Sequence, residues 1–484
     1  MKIPSKGISR DELFKRMEDY GAHDLQTHGG RTWAYVYDSG RARVEEVAKE
    51  AYLRFLSPNG LDPTVFPSLL RFENELMAMA AAHLNGGEEA VGSFTSGGTE
   101  SCMLAVKTAR DFFREKKPGI KEPEMILPVT AHAAFHKAAH YFCVKPVMVP
   151  VDPRTYKADV AALGEAVTEN TILMVGSAVS YAHGVMDPIA EMGRLALEKD
   201  ILLHVDGCVG AWMLPYFRRL GAEVPDFDFS VPGVTSLSMD FHKYAYCPKG
   251  ASVILYKNKD LRRYQFFACA GWTGYTVINA TIQSSKTGGP LAAAWATLNS
   301  FGDEGYLRIA EQTLEATRKV IAGIESIPSL RILGRPEFSM VAFTSDEVNV
   351  FDIIDEMKEK SWYIQPQLGF HGSKENIHLS VTGISLGRVE EMLADLRECV
   401  EKAAQAVHRG EESPLRQVLA GMDLSTLTPE GLGQLLSLAG ISGGALPEKM
   451  AGINGILNSL PADLTEKLLI EYFNDLFRYN PEGE

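Results

Sequence analysis

The stretch SMDFHKYAYCPKG, Ser238 to Gly250, holds two lysines suited to different chemistry. Lys243 follows His242 at the exit of the strand-like run SLSMD. A partly buried amine beside other cations gives up its proton readily and can then hold an aldehyde covalently. On the surface the same His-Lys pair would simply be solvated. Lys249 lies between Pro248 and Gly250. It reads either as a solvated turn lysine or as a positive group for an anionic substrate end. Asp206 closes the apolar run in LLHVDGCVGAW, where a desolvated carboxylate needs a partner. It would either cap the next helix or act as counter-ion to a protonated heteroaromatic nitrogen. Upstream, SFTSGGTES sets Gly97, Gly98 and Thr99 just before the helical pattern CMLAVKTARDFF. Exposed amides at such a helix start attract phosphate, while the hydroxyls there would also serve as ordinary caps.

The order of these stretches is more specific than any one of them. A phosphate loop, then an acidic residue, then a lysine is the order of a domain that binds pyridoxal 5'-phosphate. In such enzymes the carboxylate keeps the pyridine nitrogen charged so that the ring accepts electrons. His242 would contact either the phosphate or the lysine-bound aldehyde carbon. His132, in AHAAFHKAAHYF, follows the strand-like MILPV and would stack on the ring. His136 and His140 share one helical face, but no H-E-x-x-H arrangement or third ligand accompanies them, so no metal is expected. His378, in NIHLSV, reads as a core histidine.

Positioning these groups requires a scaffold of alternating strands and helices. The apolar runs EMILPV, KPVMVPV, TILMVGSA, ILLHVD, SLSMD and SVILY alternate with helical segments such as AEMGRLALEK. That alternation predicts an α/β domain with a mostly parallel sheet, whose ligands sit where strands end and helices begin. Further helices are expected over VEEVAKEAYLRFL, SLLRFENELMAMAAAHL, EGYLRIAEQTLEATRKVIAGIES and GRVEEMLADLRECVEKAAQAV. A smaller α+β segment has strands near SMVAFTS and NIHLSVT. The expected division is an N-terminal arm over 1–60, a large cofactor-binding domain over 61–300, a small domain over 301–407 and a helical extension over 408–484.

Composition narrows the function classes. The 484 residues are 45% hydrophobic and 23% charged, an ordinary globular balance. A net charge of −14 argues against nucleic-acid partners, which require a basic face, but not against a small anionic substrate. The six cysteines form no C-x-x-C pair and are expected to be reduced thiols. The N-terminal MKIPSKGISRDELF lacks an apolar signal core and no run is long enough to span a bilayer, so a cytoplasmic protein is expected.

Together, GGRTWAYVY, VFPSLLRFENELMAM, TSGGTES, AHGVMDPI, LLHVDGCVGAW, GVTSLSMDFHKYAYCPKG and GGPLAAAWATL resemble the sphingosine-1-phosphate lyases of the group II decarboxylase superfamily. The resemblance covers nearly the whole chain. It implies the type I fold of pyridoxal-phosphate-dependent transferases, with a seven-stranded, mostly parallel sheet. It further implies that Lys243 holds the cofactor, Asp206 pairs with its ring nitrogen, His132 stacks on the ring, and Gly97, Gly98, Thr99 and His242 serve its phosphate. Gly288 and Gly289 would reach a neighbouring subunit's site in a homodimer. Tyr37, Asn59, Tyr181, Lys249 and Lys286 would serve the substrate end, with Tyr181 and Lys249 catalytic. The implied reaction is retro-aldol cleavage of a small anionic amine to a fatty aldehyde and phosphoethanolamine; amino-acid decarboxylation and a non-catalytic cofactor-binding scaffold are the alternatives. Relatives carry a histidine where this chain has Asp62, and an arginine where it has Lys286; these departures cluster at the expected substrate side.

Overall fold

The computed structural model describes residues 2–408 and 448–479. Residues 409–447 and 480–484 of the expected helical extension lie outside the described residues. A seven-stranded sheet forms the centre of the large lobe. Its strands are β1 (Val91–Thr95), β2 (Glu124–Pro128), β3 (Lys145–Val149), β4 (Thr171–Ser177), β5 (Leu202–Asp206), β6 (Val234–Met239) and β7 (Ser252–Tyr256). They lie in the order β1-β7-β6-β5-β4-β2-β3. Only β7 runs against its neighbours, so the sheet is mostly parallel, as the alternating pattern predicts.

Burial explains the strand sequences. All seven residues of β4 and all five of β2 and β7 are buried, as expected for strands covered on both faces. The outer strand β3 is largely exposed and carries Pro146, which an edge position tolerates because no donor is needed on that side. β1 is missing from the apolar runs picked out in the sequence. Its five residues, VGSFT, include Gly92 and two hydroxyls and look like loop, yet they pair with β7 over their full length. Gly92 is required there: a Cβ would lie 2.5 Å from Ile254 O.

Helices cover both faces of this sheet. Pro67–His83 and Ile189–Lys199 help close one apolar core, and Gly98–Lys116 with Ala133–Phe142 close the other. A hairpin of β8 (Phe267–Cys269) and β9 (Val277–Asn279) follows the sheet. The long helix Gly288–Glu325 then leaves the large lobe. It breaks at Gly302, where φ is 61° and ψ 173°, and its second half packs into the small lobe.

The small lobe is a four-stranded antiparallel sheet of β10 (Leu330–Ile332), β11 (Met340–Ser345), β12 (Gln365–Gln367) and β13 (Asn376–Ser380), in the order β10-β11-β13-β12. The helices Val350–Glu359 and Val389–His408 cover it. Its core includes Trp33, contributed from the opposite end of the chain. Residues 31–33 thus belong structurally to the small lobe rather than to a free arm. Among the described residues, no helix is long and apolar enough to cross a membrane.

Candidate functional site

Five parallel strands, β1, β2, β4, β5 and β6, deliver their carboxyl ends to one cavity of about 380 Å³, a volume within the usual small-molecule range of about 300–1,000 Å³. The turn after β1 brings Gly97, Gly98 and Thr99, and the segment after β2 brings His132. Tyr181 follows β4, Asp206 ends β5, and His242 with Lys243 follow β6. Residues scattered over more than a hundred positions therefore face one another.

Lys243 Nζ lies 2.9 Å from Asp240 Oδ2, and the carboxylate is 2% exposed. Burial alone would press the ammonium to lose its proton. Asp240, with lesser help from Tyr37 and Cys208, outweighs that and holds the Lys243 pKa well above the ordinary lysine value. Burial correspondingly works to raise the Asp240 pKa, but Lys243 and His242 bring it below the usual carboxylate range. Asp240 is not among the residues expected from sequence. Its signal is available there: an acidic residue three positions before the lysine, just past a buried strand.

The turn over Gly97–Thr99 opens the helix Gly98–Lys116, and no side chain caps it. The hydroxyl cap allowed by the sequence is therefore not made; Thr95 and Ser101 bond each other at 2.7 Å instead. The first-turn amides have no intrahelical acceptor. Gly98 has no room for a side chain, since a Cβ would lie 2.6 Å from Asp240 Oδ2. His242 lies close by, and its buried Nδ1 has no partner among the described residues. Burial depresses the His242 pKa, which the lysines 243 and 249 depress further against the pull of Asp240. Glu100 folds back to accept from Ser96 N and Oγ, and from Ile282 N at 2.8 Å, fastening this turn to the loop after the hairpin.

Asp206 is 7% exposed. Its Oδ1 accepts from Cys208 N at 3.1 Å and Ser238 Oγ at 3.4 Å. Ser238 is held in turn by His204, whose other nitrogen contacts Ser236. The carboxylate thus makes a local turn and also lines the cavity. His132 caps the helix Ala133–Phe142: its Nδ1 accepts from Ala134 N at 3.1 Å, which leaves Nε2 as the protonated nitrogen. Its ring meets Tyr181 edge-on at 6.4 Å.

Tyr181 is fixed from two sides. Its hydroxyl donates to Gln365 Oε1 at 2.6 Å, and its ring stacks on His378 at 4.4 Å. Burial raises the phenol pKa and pushes the His378 pKa down to about 3. His378 is fully buried, as read from sequence, but it also supports a site residue. Lys249 is exposed and does not line the cavity; it donates to Tyr35 O at 3.2 Å with its ammonium 4.9 Å from the centre of the Tyr37 ring. Burial and then the charge of Lys243 lower its pKa. Tyr37 packs edge-on against Tyr244 at 5.1 Å and feels the charge of Lys243.

The remaining sequence candidates do not line this chain's cavity. Asn59 pairs with Thr287 in an isolated bridge, Gly60 N donates to Lys286 O, and Gly288 N donates to Pro58 O. Asn59, Lys286, Gly288 and Gly289 therefore lie where one loop adjoins the start of the helix Gly288–Glu325. Both oxygens of Glu73 hold the Lys286 ammonium, at 2.8 and 2.9 Å. Asp62 is exposed and accepts from Thr64 N and Thr64 Oγ1, which lower its pKa. It is occupied in a local turn. His136 and His140 gather no third metal-ligating group among the described residues. Cys102 and Cys208, read as unrelated thiols, converge beside Asp206.

The cavity fits pyridoxal phosphate by its own chemistry. Unpaired helix amides and an orphaned imidazole nitrogen lie at one end, a buried carboxylate lies on the wall, and a lysine amine stands between them.

A profile described as "Pyridoxal-dependent decarboxylase conserved domain" matches residues 57–346. A second, for the C-terminal "HTH domain" of pyridoxal-dependent enzymes, matches residues 413–475. The sphingosine-1-phosphate lyase of Dictyostelium discoideum is 40% identical over 401 residues, covering 82% of this chain and 74% of that protein. The solved sphingosine-1-phosphate lyase of Burkholderia pseudomallei K96243 superposes with a TM-score of 0.79 at 37% identity, covering 89% of this chain and 98% of that one. The glutamate decarboxylase of Lactobacillus brevis CGMCC 1306 shares the fold, with a TM-score of 0.73 at 18% identity over 84% of this chain and 95% of that one.

Proposed function

Because this chain belongs to the pyridoxal-dependent decarboxylase family, and within it to the sphingosine-1-phosphate lyases, we propose that it cleaves a phosphorylated β-hydroxy amine such as sphingosine 1-phosphate. The products are a fatty aldehyde and phosphoethanolamine. The observation that carries this reading is the convergence of Gly98, His132, Asp206, His242 and Lys243 on one cavity.

Bound pyridoxal phosphate supplies an electron sink for the carbon–carbon bond that breaks. The chain supplies the rest. Amides of the Gly97–Thr99 turn and His242 would bind the phosphate. His132 would pack on the ring, and Asp206 would stabilise a positive ring nitrogen. Lys243 would provide the amine that holds the cofactor, with Asp240 governing its protonation. Lys249 and Tyr181 divide the work at the substrate hydroxyl. The depressed pKa of Lys249 suits it to accept the hydroxyl proton. The raised pKa of Tyr181 keeps its phenol protonated, and on turning from Gln365 Oε1 its one proton would donate to the developing aldehyde oxygen.

A homodimer belongs to this reading. The loops bearing Asn59, Lys286, Gly288 and Gly289 serve no site in their own chain, and apolar side chains beside them stay exposed: Leu53, Leu56 and Val65, with Trp272, Tyr275 and Ile278 of the hairpin. A second copy would cover such a surface. Also part of the reading are a cytoplasmic location and a division near residue 300, beside the Gly302 break.

Incubation with sphingosine 1-phosphate, with mass-spectrometric detection of both fragments, tests the assignment. Aldehyde and phosphoethanolamine in equal amounts are expected. Carbon dioxide released from an amino acid, with neither fragment formed, would move the assignment to decarboxylation.

A further inference from the structure

Cys102, on the helix Gly98–Lys116, and Cys208, just past β5, are far apart in sequence but meet on the cavity wall. Their sulfurs and a carboxylate oxygen of Asp206 all lie within 4.8 Å of one another. The three residues are 1%, 6% and 7% exposed. Ser238 Oγ ties them together, at 3.2 Å from Cys208 Sγ, 3.9 Å from Cys102 Sγ and 3.4 Å from Asp206 Oδ1. All three candidate ligands line the cavity that opens to solvent, so an ion has a route in. Asp240, buried on the same wall, has one oxygen without a partner. Two soft sulfurs and one hard oxygen, at separations a tetrahedral centre spans, make a donor set for zinc-like cations, with the fourth position left for water.

We propose that Cys102, Asp206 and Cys208 bind one thiophilic divalent cation of the Zn²⁺ class in the cofactor-free enzyme, and that cation and cofactor exclude each other. As two metal–sulfur bonds form, two thiol protons pass to solvent; Asp206 contributes one oxygen and loses no proton. His204 and Ser238 support the set from behind, as groups in the next layer commonly do for metal ligands. Exclusion rests on the reading that Asp206 serves the ring nitrogen. One carboxylate cannot both ligate the cation and pair with the pyridine, and an ion on the wall occupies ring space.

The test uses the full chain, free of any histidine tag and stripped of cofactor, titrated with Co²⁺ as a spectroscopic stand-in and with Zn²⁺. One ion per chain is expected, with a thiolate-to-cobalt charge-transfer band and two protons released. Cys102→Ser should weaken binding at least ~10-fold, with Cys102→Ala behaving alike. Both variants should still take up pyridoxal phosphate, which shows that they fold. Pyridoxal phosphate added to the metal-loaded chain should abolish the band. A wild-type chain without the band, or a band that survives Cys102→Ser, overturns the site. A band that persists while the cofactor binds its lysine overturns the exclusion. A chain that takes up no cofactor yet shows the band keeps the metal site and defeats the functional reading instead.

Discussion

Lys243 and Asp240 form a buried ion pair, with Nζ 2.9 Å from Oδ2, on the wall of the candidate cofactor cavity. The carboxylate keeps the amine protonated in the cofactor-free chain, whereas covalent attachment requires the neutral amine. Asp240→Asn should shift the pH profile of cofactor uptake, followed by the visible absorbance of the lysine-bound form, toward lower pH. Lys243→Ala should abolish that absorbance. An unshifted profile in Asp240→Asn would remove Asp240 from this role.

Gly98 has no space for a methyl group, because its Cβ would stand 2.6 Å from Asp240 Oδ2. Gly98→Ala should force the turn and the carboxylate apart and weaken cofactor affinity by at least ~10-fold, or about 1.4 kcal/mol. Equilibrium titration of the stripped enzyme measures it.

Tyr181→Phe and Lys249→Met should both retain the cofactor absorbance while losing turnover by roughly 100-fold or more. They should differ in pH dependence. Lys249→Met removes the group whose deprotonation opens the acidic limb of the kcat profile, whereas Tyr181→Phe leaves that limb in place. Rate profiles across pH distinguish the two.

Lys286→Met tests whether that residue supports structure or meets substrate. Glu73 accepts from Lys286 and from Phe94 N of β1, so losing the lysine leaves a half-buried carboxylate short of a partner. A loss of about 1–3 kcal/mol in urea unfolding is expected, together with an unchanged KM. A raised KM at full stability would return Lys286 to the substrate.

Buried histidines set an acid limit. Burial lowers the pKa values of His183 and His204 to about 4 and that of His378 to about 3, against an ordinary 6.5. Below pH 6.5 the unfolded chain binds protons that the folded chain refuses, so stability falls as pH drops from 6.5 toward 4. Each histidine contributes up to about 1.4 kcal/mol per pH unit in that window. Asp187 opposes them, since burial raises its pKa to about 6 from 3.8. It gives extra stability to the folded state at low pH, but it is one group against three. Urea midpoints measured from pH 7 to pH 4.5 should fall, and His183→Gln should flatten the slope.

The order of the candidate site residues is legible in the sequence because each follows its own strand, and buried strands such as β4 read as largely apolar runs. β1 stayed hidden because Gly92 and its serine and threonine neighbours look like loop; only pairing with β7 makes them strand. Asp240 was overlooked for a different reason. Its importance comes from a neighbour's charge and from burial, and neither is a pattern along the chain. The meeting of Cys102 with Cys208 depends on tertiary structure alone. At Lys286 and Asp62, where the chain departs from its relatives, local partners, Glu73 and Thr64, meet the charge, and no pattern along the chain announces them.

The segment around Trp33 carries a consequence for biosynthesis. Trp33 N donates to Tyr363 O, Ser380 N donates to Trp33 O, and the Arg31 guanidinium reaches Lys360 O across 329 residues of chain. Residues 31–33 must therefore wait, without their final neighbours, until residues 329 or more positions further along have been made. The Trp33 indole is open to chaperones or to other nascent chains for that whole interval.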